Sequence, residues 1–117
     1  MGIARFTASA DNTITNAFKS DLSTRGTGSS MGLSDILETF SIYGQASSAS
    51  AEKSRILINF PMTPISSSRV SGSLPESGSV SFYLRMFNAE HGRTLPRDYV
   101  LEIRPVQSGW EEGYGLD

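Results

Sequence analysis

Cysteine is absent from the 117 residues. Disulfides and thiolate–metal centres are therefore excluded, and the redox compartment is left open. Lysine is nearly absent too, with only Lys19 and Lys53. Ten basic residues face twelve acidic ones, for a net charge of −2. The basic residues are mostly arginines scattered along the chain, without the stripe that a phosphate backbone requires, so no nucleic-acid partner is expected. No apolar run approaches the roughly 18–20 residues of a membrane-spanning helix. The N-terminus lacks the apolar stretch of a secretory signal, and Phe6 stands where a myristoylation motif needs Ser or Thr. No membrane partner and no Sec export are expected.

Catalytic groups are equally scarce. His91 is the only histidine. It lies in a polar loop between Glu90 and Gly92, and no GxSxG motif offers a nucleophile. Glu111 and Glu112 are adjacent, so in an extended chain they point opposite ways and cannot act as a glycosidase pair. These absences point away from an enzyme. The glycine-rich loop 25–32, Arg-Gly-Thr-Gly-Ser-Ser-Met-Gly, misses the GxGxxG spacing by one residue and reads as a flexible loop.

What the chain does have is serine and glycine, with 11 glycines and a long tally of hydroxyls. That composition favours turns and exposed strands over helices. The length suits one domain, able to bury about 60–70% of its unfolded surface. The clearest pattern is residues 79–87, Ser-Val-Ser-Phe-Tyr-Leu-Arg-Met-Phe. Val80, Phe82, Leu84 and Met86 share one parity, the period-2 signature of a half-buried strand. This stretch is expected to organise the fold and supply its main core face.

Four further strands are expected. Residues 3–15 read as extended, with a bulge or turn at Asp11-Asn12. Residues 33–43 carry both a helical stripe (Leu33, Ile36, Leu37, Phe40) and strand alternation; the β-branched and aromatic end favours a strand over 36–43. Residues 54–60 place Ile56, Ile58 and Phe60 on one face, with Leu57 on the other, as in a central strand that Pro61 and Pro64 terminate. Residues 65–75 read as loop. Residues 97–106 alternate again, with Tyr99, Leu101 and Ile103 inward and Pro105 at an edge or end. The predicted fold class is all-β, an antiparallel β-sandwich of jelly-roll type over residues 1–117. Five strands are few for such a sandwich. The chain is therefore expected to be the N-terminal part of a slightly longer one, or to borrow an edge from a neighbouring subunit.

Three groups of residues are candidate sites. Asp11, Asp21, Asp35 and Asp117 lie in oxygen-rich loops and are candidate ligands for a structural Ca²⁺; solvated loop acids are the blander reading, and no EF-hand spacing is present. Trp110, Tyr43 and Tyr114 are candidate contacts to a glycan or a partner, against the alternative that Trp110 caps an open end of the sandwich. Arg55 shares the parity of Leu57 and is expected to be half-buried and structural, paired with Glu38, Asp11 or Asp35.

With these elements placed, the chain resembles the DNRLRE-type β-sandwich, a carbohydrate-binding-module-like jelly roll. The resemblance rests on Ala10-Asp-Asn-Thr-Ile14, the loop to Gly32, Ser54-Arg-Ile-Leu-Ile-Asn-Phe60, and Leu74-Pro-Glu-Ser-Gly-Ser-Val80 running into Leu84. It continues through Leu101-Glu-Ile103 and Trp110-Glu-Glu112. Leu74-Pro75 and Phe60-Pro61 stand where Ile-Pro and Phe-Asp are usual in that family. The chain also resembles small β-sandwich virion proteins of marine tailed bacteriophages, through residues 35–45, 78–85 and 110–117. This resemblance implies a virion structural protein (capsid decoration, neck or tail-fibre component) that contacts other virion proteins and copies of itself. The carbohydrate-binding likeness implies a glycan-binding module as the alternative.

Overall fold

The computed structural model describes residues 2–28, 30–75, 78–92 and 97–116. Its ordered centre is a three-stranded antiparallel sheet built from β1 (Ala10–Thr15), β2 (Ser41–Tyr43) and β3 (Ala51–Asn59), in the order β1-β3-β2. One helix follows, α1 (Met62–Val70). The sheet bears out the expectation of antiparallel strands, with β3 between β1 and β2, although β2 reaches only as far as Lys53. It does not form a second layer, so a sandwich is not seen.

β3 is long because alternation begins earlier than its isoleucines suggest. Glu52, Ser54, Ile56 and Ile58 point to one face, and Lys53, Arg55, Leu57 and Asn59 to the other. The register Thr13↔Ile56 and Ile42↔Glu52 brings Thr13 and Ile42 onto the first face. Ile56, Ile58 and the following Phe60 are half-buried, as their shared parity implied. Arg55 is exposed, with no ion pair to Glu38, Asp11 or Asp35 among the described residues. This overturns the expected half-buried cluster: nothing covers the Lys53–Arg55 part of that face, so the guanidinium reaches water directly.

Asp11 and Asn12 are regular ladder residues, paired with Ile58 and Leu57, and no turn interrupts them. Their polar side chains are tolerated because the C-terminal segment supplies partners. The Asp11 N–H donates to Glu112 Oε1 at 2.9 Å, and Asn12 Nδ2 donates to the Glu112 carbonyl at 2.8 Å. The second strand is shorter than expected. Over 36–40 the backbone is tied instead by side-chain hydroxyls, with the Glu38 N–H donating to Thr13 Oγ1 and the Phe40 N–H to Ser54 Oγ.

Residues 65–75 are expected to be loop, yet 62–70 are helical. Their sequence carries no apolar stripe and the helix buries no side chain. What defines it is punctuation. Pro61 sits at the N-cap and Pro64 in the first turn, where no intrahelical N–H is required, and Gly72 follows the C-terminus with φ +84°. Arg69 lies in the last turn, where a cation is favourable.

The largest departure is in residues 79–87 and 97–106. Neither segment pairs in a sheet, so the expected organising strand is absent as a strand. Phe82 is 67% exposed, and Leu84 and Met86 are exposed as well. Among the described residues no apolar side chain is fully buried; the buried side chains are polar, Asn12, Thr13, Ser50 and Glu52. Alternation is a local signal, and it cannot supply the partner that a strand needs. Glu76 and Ser77, which precede the expected organising strand, residues 93–96 of the polar loop and Asp117 lie outside the described residues.

Candidate functional site

Two regions of the fold have the geometry of sites. The first lies on the Glu52 face of the sheet. A loop leaves β1, turns at Asp21 and returns through a bridge between Phe18 and Arg25. The turn is held by the Asp21 carboxylate, which accepts the N–H groups of Ser23 and Thr24 at 2.9 Å and the Thr24 hydroxyl at 2.7 Å. These donors, the Thr24 amide foremost, lower its pKa from the ordinary 3.8 to about 2. The Arg25 guanidinium lies 3.8 Å over the Phe18 ring and donates to the carbonyls of Asn16 and Ala51. The loop is thereby clamped to the start of β3.

Beneath the clamp is Glu52, 2% exposed. Its Oε1 accepts the Phe18 N–H at 2.7 Å, while Oε2 meets no partner among the described residues. Beside it a cleft of about 330 Å³ is lined by Thr13, Thr15, Phe18, Lys19, Glu38 and Phe40, with Met31 and Gly26 at its margin. The wall combines two hydroxyls, one cation and one carboxylate with two aromatic rings.

The second region is the C-terminal segment. It docks on the beginning of β1 through Glu112 and on residue 33, whose N–H donates to the Gly115 carbonyl at 3.0 Å. Gly32 is the contact point: any Cβ there would overlap the carbonyls of Glu112 and Gly113. A pocket of about 310 Å³ is lined by Glu111, Glu112, Gly113 and Tyr114.

The predicted site residues are distributed as follows. Trp110 is half-buried and Tyr114 is 90% exposed, both on the docked C-terminal segment. Tyr43 is 73% exposed and pairs with Ala51 at the opposite end of β3 from Ile58, the partner of Asp11. Seven residues of strand, about 23 Å, separate these two points. Trp110 and Tyr114 lie four residues apart on one segment, and Tyr43 lies at the other end of the sheet. Asp11, Asp21 and Asp35 do not converge, and among the described residues no three His, Asp or Glu side chains are grouped to hold a metal ion.

Glu52, Phe18 and Arg25 are absent from the sequence-based candidates. The signal for Glu52 was present, since it shares the parity of Ile56 and Ile58; an acid on an apolar strand face implies a buried partner. Starting the strand at Ser54 hid it.

Compared with known proteins, the chain matches no family model, no curated protein and no solved structure.

Proposed function

We propose that this chain is a structural protein of a bacteriophage particle, a capsid decoration, neck or tail-fibre component, acting through contacts with other virion proteins and with copies of itself. The observation that carries the reading is the unburied apolar material of residues 79–92 and 97–106. Phe82, Tyr83, Phe87, Tyr99 and Ile103 are all more than half exposed in a chain without a buried apolar side chain among its described residues. A lone globular protein hides much of such material, and apolar surface left exposed on this scale marks a protein–protein contact. The virion assignment itself rests on the sequence resemblance. Mass spectrometry of purified particles of the encoding phage should find the chain at a fixed stoichiometry. Its presence in the host lysate but not in purified particles would overturn the proposal.

A second reading, a glycan-binding module, draws on the exposed rings of Tyr43 and Tyr114. It requires binding on a glycan array that Tyr114→Ala or Tyr43→Ala abolishes. Under the structural reading neither substitution changes a glycan signal.

A further inference from the structure

The sheet has an open stretch that its own elements do not fill. Hydrogen-bond phasing locates it. Asn16 donates its N–H to the Lys53 carbonyl, so the odd-numbered residues of β3 turn their backbone groups toward β1. On the other side Gly44 donates to the Ser50 carbonyl and Ser54 to the Phe40 carbonyl, so the even-numbered residues face β2. β2 ends opposite Lys53, and the chain before Phe40 turns away to bond Thr13. The N–H and C=O groups of Ile56 and Ile58 therefore point past the end of β2, and among the described residues no strand lies beside them. Unpaired backbone beside half-buried isoleucines is a template for strand addition.

The same molecule carries strand material without a sheet. In residues 79–87, Val80, Phe82, Leu84 and Met86 share one parity, and Ser81, Tyr83, Arg85 and Phe87 share the other. The Arg85 guanidinium lies 5.0 Å from the Phe87 ring, a contact between residues two apart, as expected for side chains on one side of an extended segment. Arg104 and Glu102 pair in the same two-residue spacing. Matching parities would set Val80, Phe82, Leu84 and Met86 beside Ile56 and Ile58, and Ser81, Tyr83 and Arg85 beside Arg55, Leu57 and Asn59.

We propose that residues 79–87 of one copy add as a strand to β3 of a second copy, alongside Ile56 and Ile58. This deepens the structural-protein reading, on which it rests for assembly through protein contacts. A second copy is the occupant because of the area involved. The chain exposes 10078 Å². A folded monomer of 12.7 kDa should expose about 6,200 Å². The excess, about 3,800 Å² on each chain, is ample for the roughly 1,000–2,500 Å² that each partner of an obligate homodimer buries, and one such contact covers only part of it. Strand exchange in both directions would fill both open stretches by one symmetric contact.

The native chain lacks cysteine, which allows a direct test. Single-cysteine variants Asn59→Cys and Arg55→Cys are mixed with Ser81→Cys, Tyr83→Cys, Phe82→Cys or Leu84→Cys and oxidised. Disulfide-linked heterodimers are expected with positions 81 and 83 and not with 82 and 84, because only the first pair shares the face of Asn59 and Arg55. Equal linking at both parities, or none, overturns the proposal. In parallel, analytical ultracentrifugation of the full chain should show self-association that Leu84→Pro weakens by about tenfold or more. That substitution lies in an unpaired segment, so circular dichroism should show the sheet intact. A chain that stays monomeric, whether its Ile56 and Ile58 amides exchange freely or are protected by its own residues 79–87, overturns strand exchange. So does an oligomer indifferent to Leu84→Pro. A chain that is monomeric in solution yet present in purified particles would overturn only this inference and leave the virion reading standing.

Discussion

Glu52 holds the loop after β1 to the sheet through one hydrogen bond, from the Phe18 N–H at 2.7 Å. Truncation by Glu52→Ala leaves that part-buried donor without an acceptor, at an expected cost of about 1–3 kcal/mol. Glu52→Gln keeps an amide oxygen in the same place and should cost less; equal losses in urea denaturation would show that the bond is not what matters. Arg55 gives the opposite expectation. Being exposed and unpaired among the described residues, it should be replaceable by Ala within about 0.5 kcal/mol. A larger loss of denaturation midpoint would mean that it has a partner. Asp21 titrates in the loop. Its folded-state pKa is about 2, below the ordinary 3.8. A depressed carboxylate contributes stability that is fully present above the unfolded value and is lost as pH falls through the folded one. The turn should therefore hold at pH 4 and above and loosen as pH approaches 2. Carboxyl NMR should place the Asp21 midpoint near 2, and a midpoint near the ordinary value would remove the turn from solution.

At the scale of elements, the decisive contact joins the two ends of the chain. Glu112 and Gly115 bond β1 and residue 33, and Gly32 makes room for them. Gly32→Ala should displace the C-terminal segment at a cost of about 1–3 kcal/mol, since backbone rather than a flexible side chain must move. Hydrogen exchange should show the Asp11 and Leu33 amides speeding up together, while the β1–β3 ladder stays protected. If only Leu33 responds, the segment is not docked as one piece. How far each element could be read in advance follows from where its stabilising partner lies in the chain. β3 was legible because Ile56 and Ile58 carry its pattern themselves. α1 was not, because its serines bury nothing, although the spacing of Pro61, Pro64 and Gly72 marked its ends. The helical stripe at Leu33 to Phe40 and the strand pattern at Ile36 to Ile42 competed. Neither won over 36–40, where Thr13 and Ser54 hydroxyls took the backbone groups that a helix or a ladder would have used.

For the whole molecule, dimensions state the problem. The radius of gyration is 17.9 Å with extents of 55 × 33 × 26 Å. A compact chain of this length should have a radius near 13.4 Å. Small-angle scattering of the isolated chain at low concentration should return the larger value. On concentration the radius per chain should contract as residues 79–106 become covered. A radius near 13 Å in dilute solution would mean that these residues fold onto their own sheet. Unfolding of the dilute chain should also show a shallow denaturant dependence, because the slope scales with the surface newly exposed.

The sequence by itself determined what is local: strand alternation, turn chemistry, the absence of thiols and of a basic stripe, and the parity of Ile56 and Ile58. Those properties depend on neighbours two to four residues away. Only the tertiary structure decided which alternating segments become strands. β1 finds β3 more than forty residues along the chain, and Glu112 reaches Asn12 across a hundred. Residues 79–87 have the better pattern and no strand partner among the described residues of the same chain. Alternation creates a face to bury, but burial needs a second surface, and a one-dimensional pattern does not say where that surface is. The buried Glu52 and exposed Arg55 follow from the same cause, since side chains three apart on one strand met opposite surroundings.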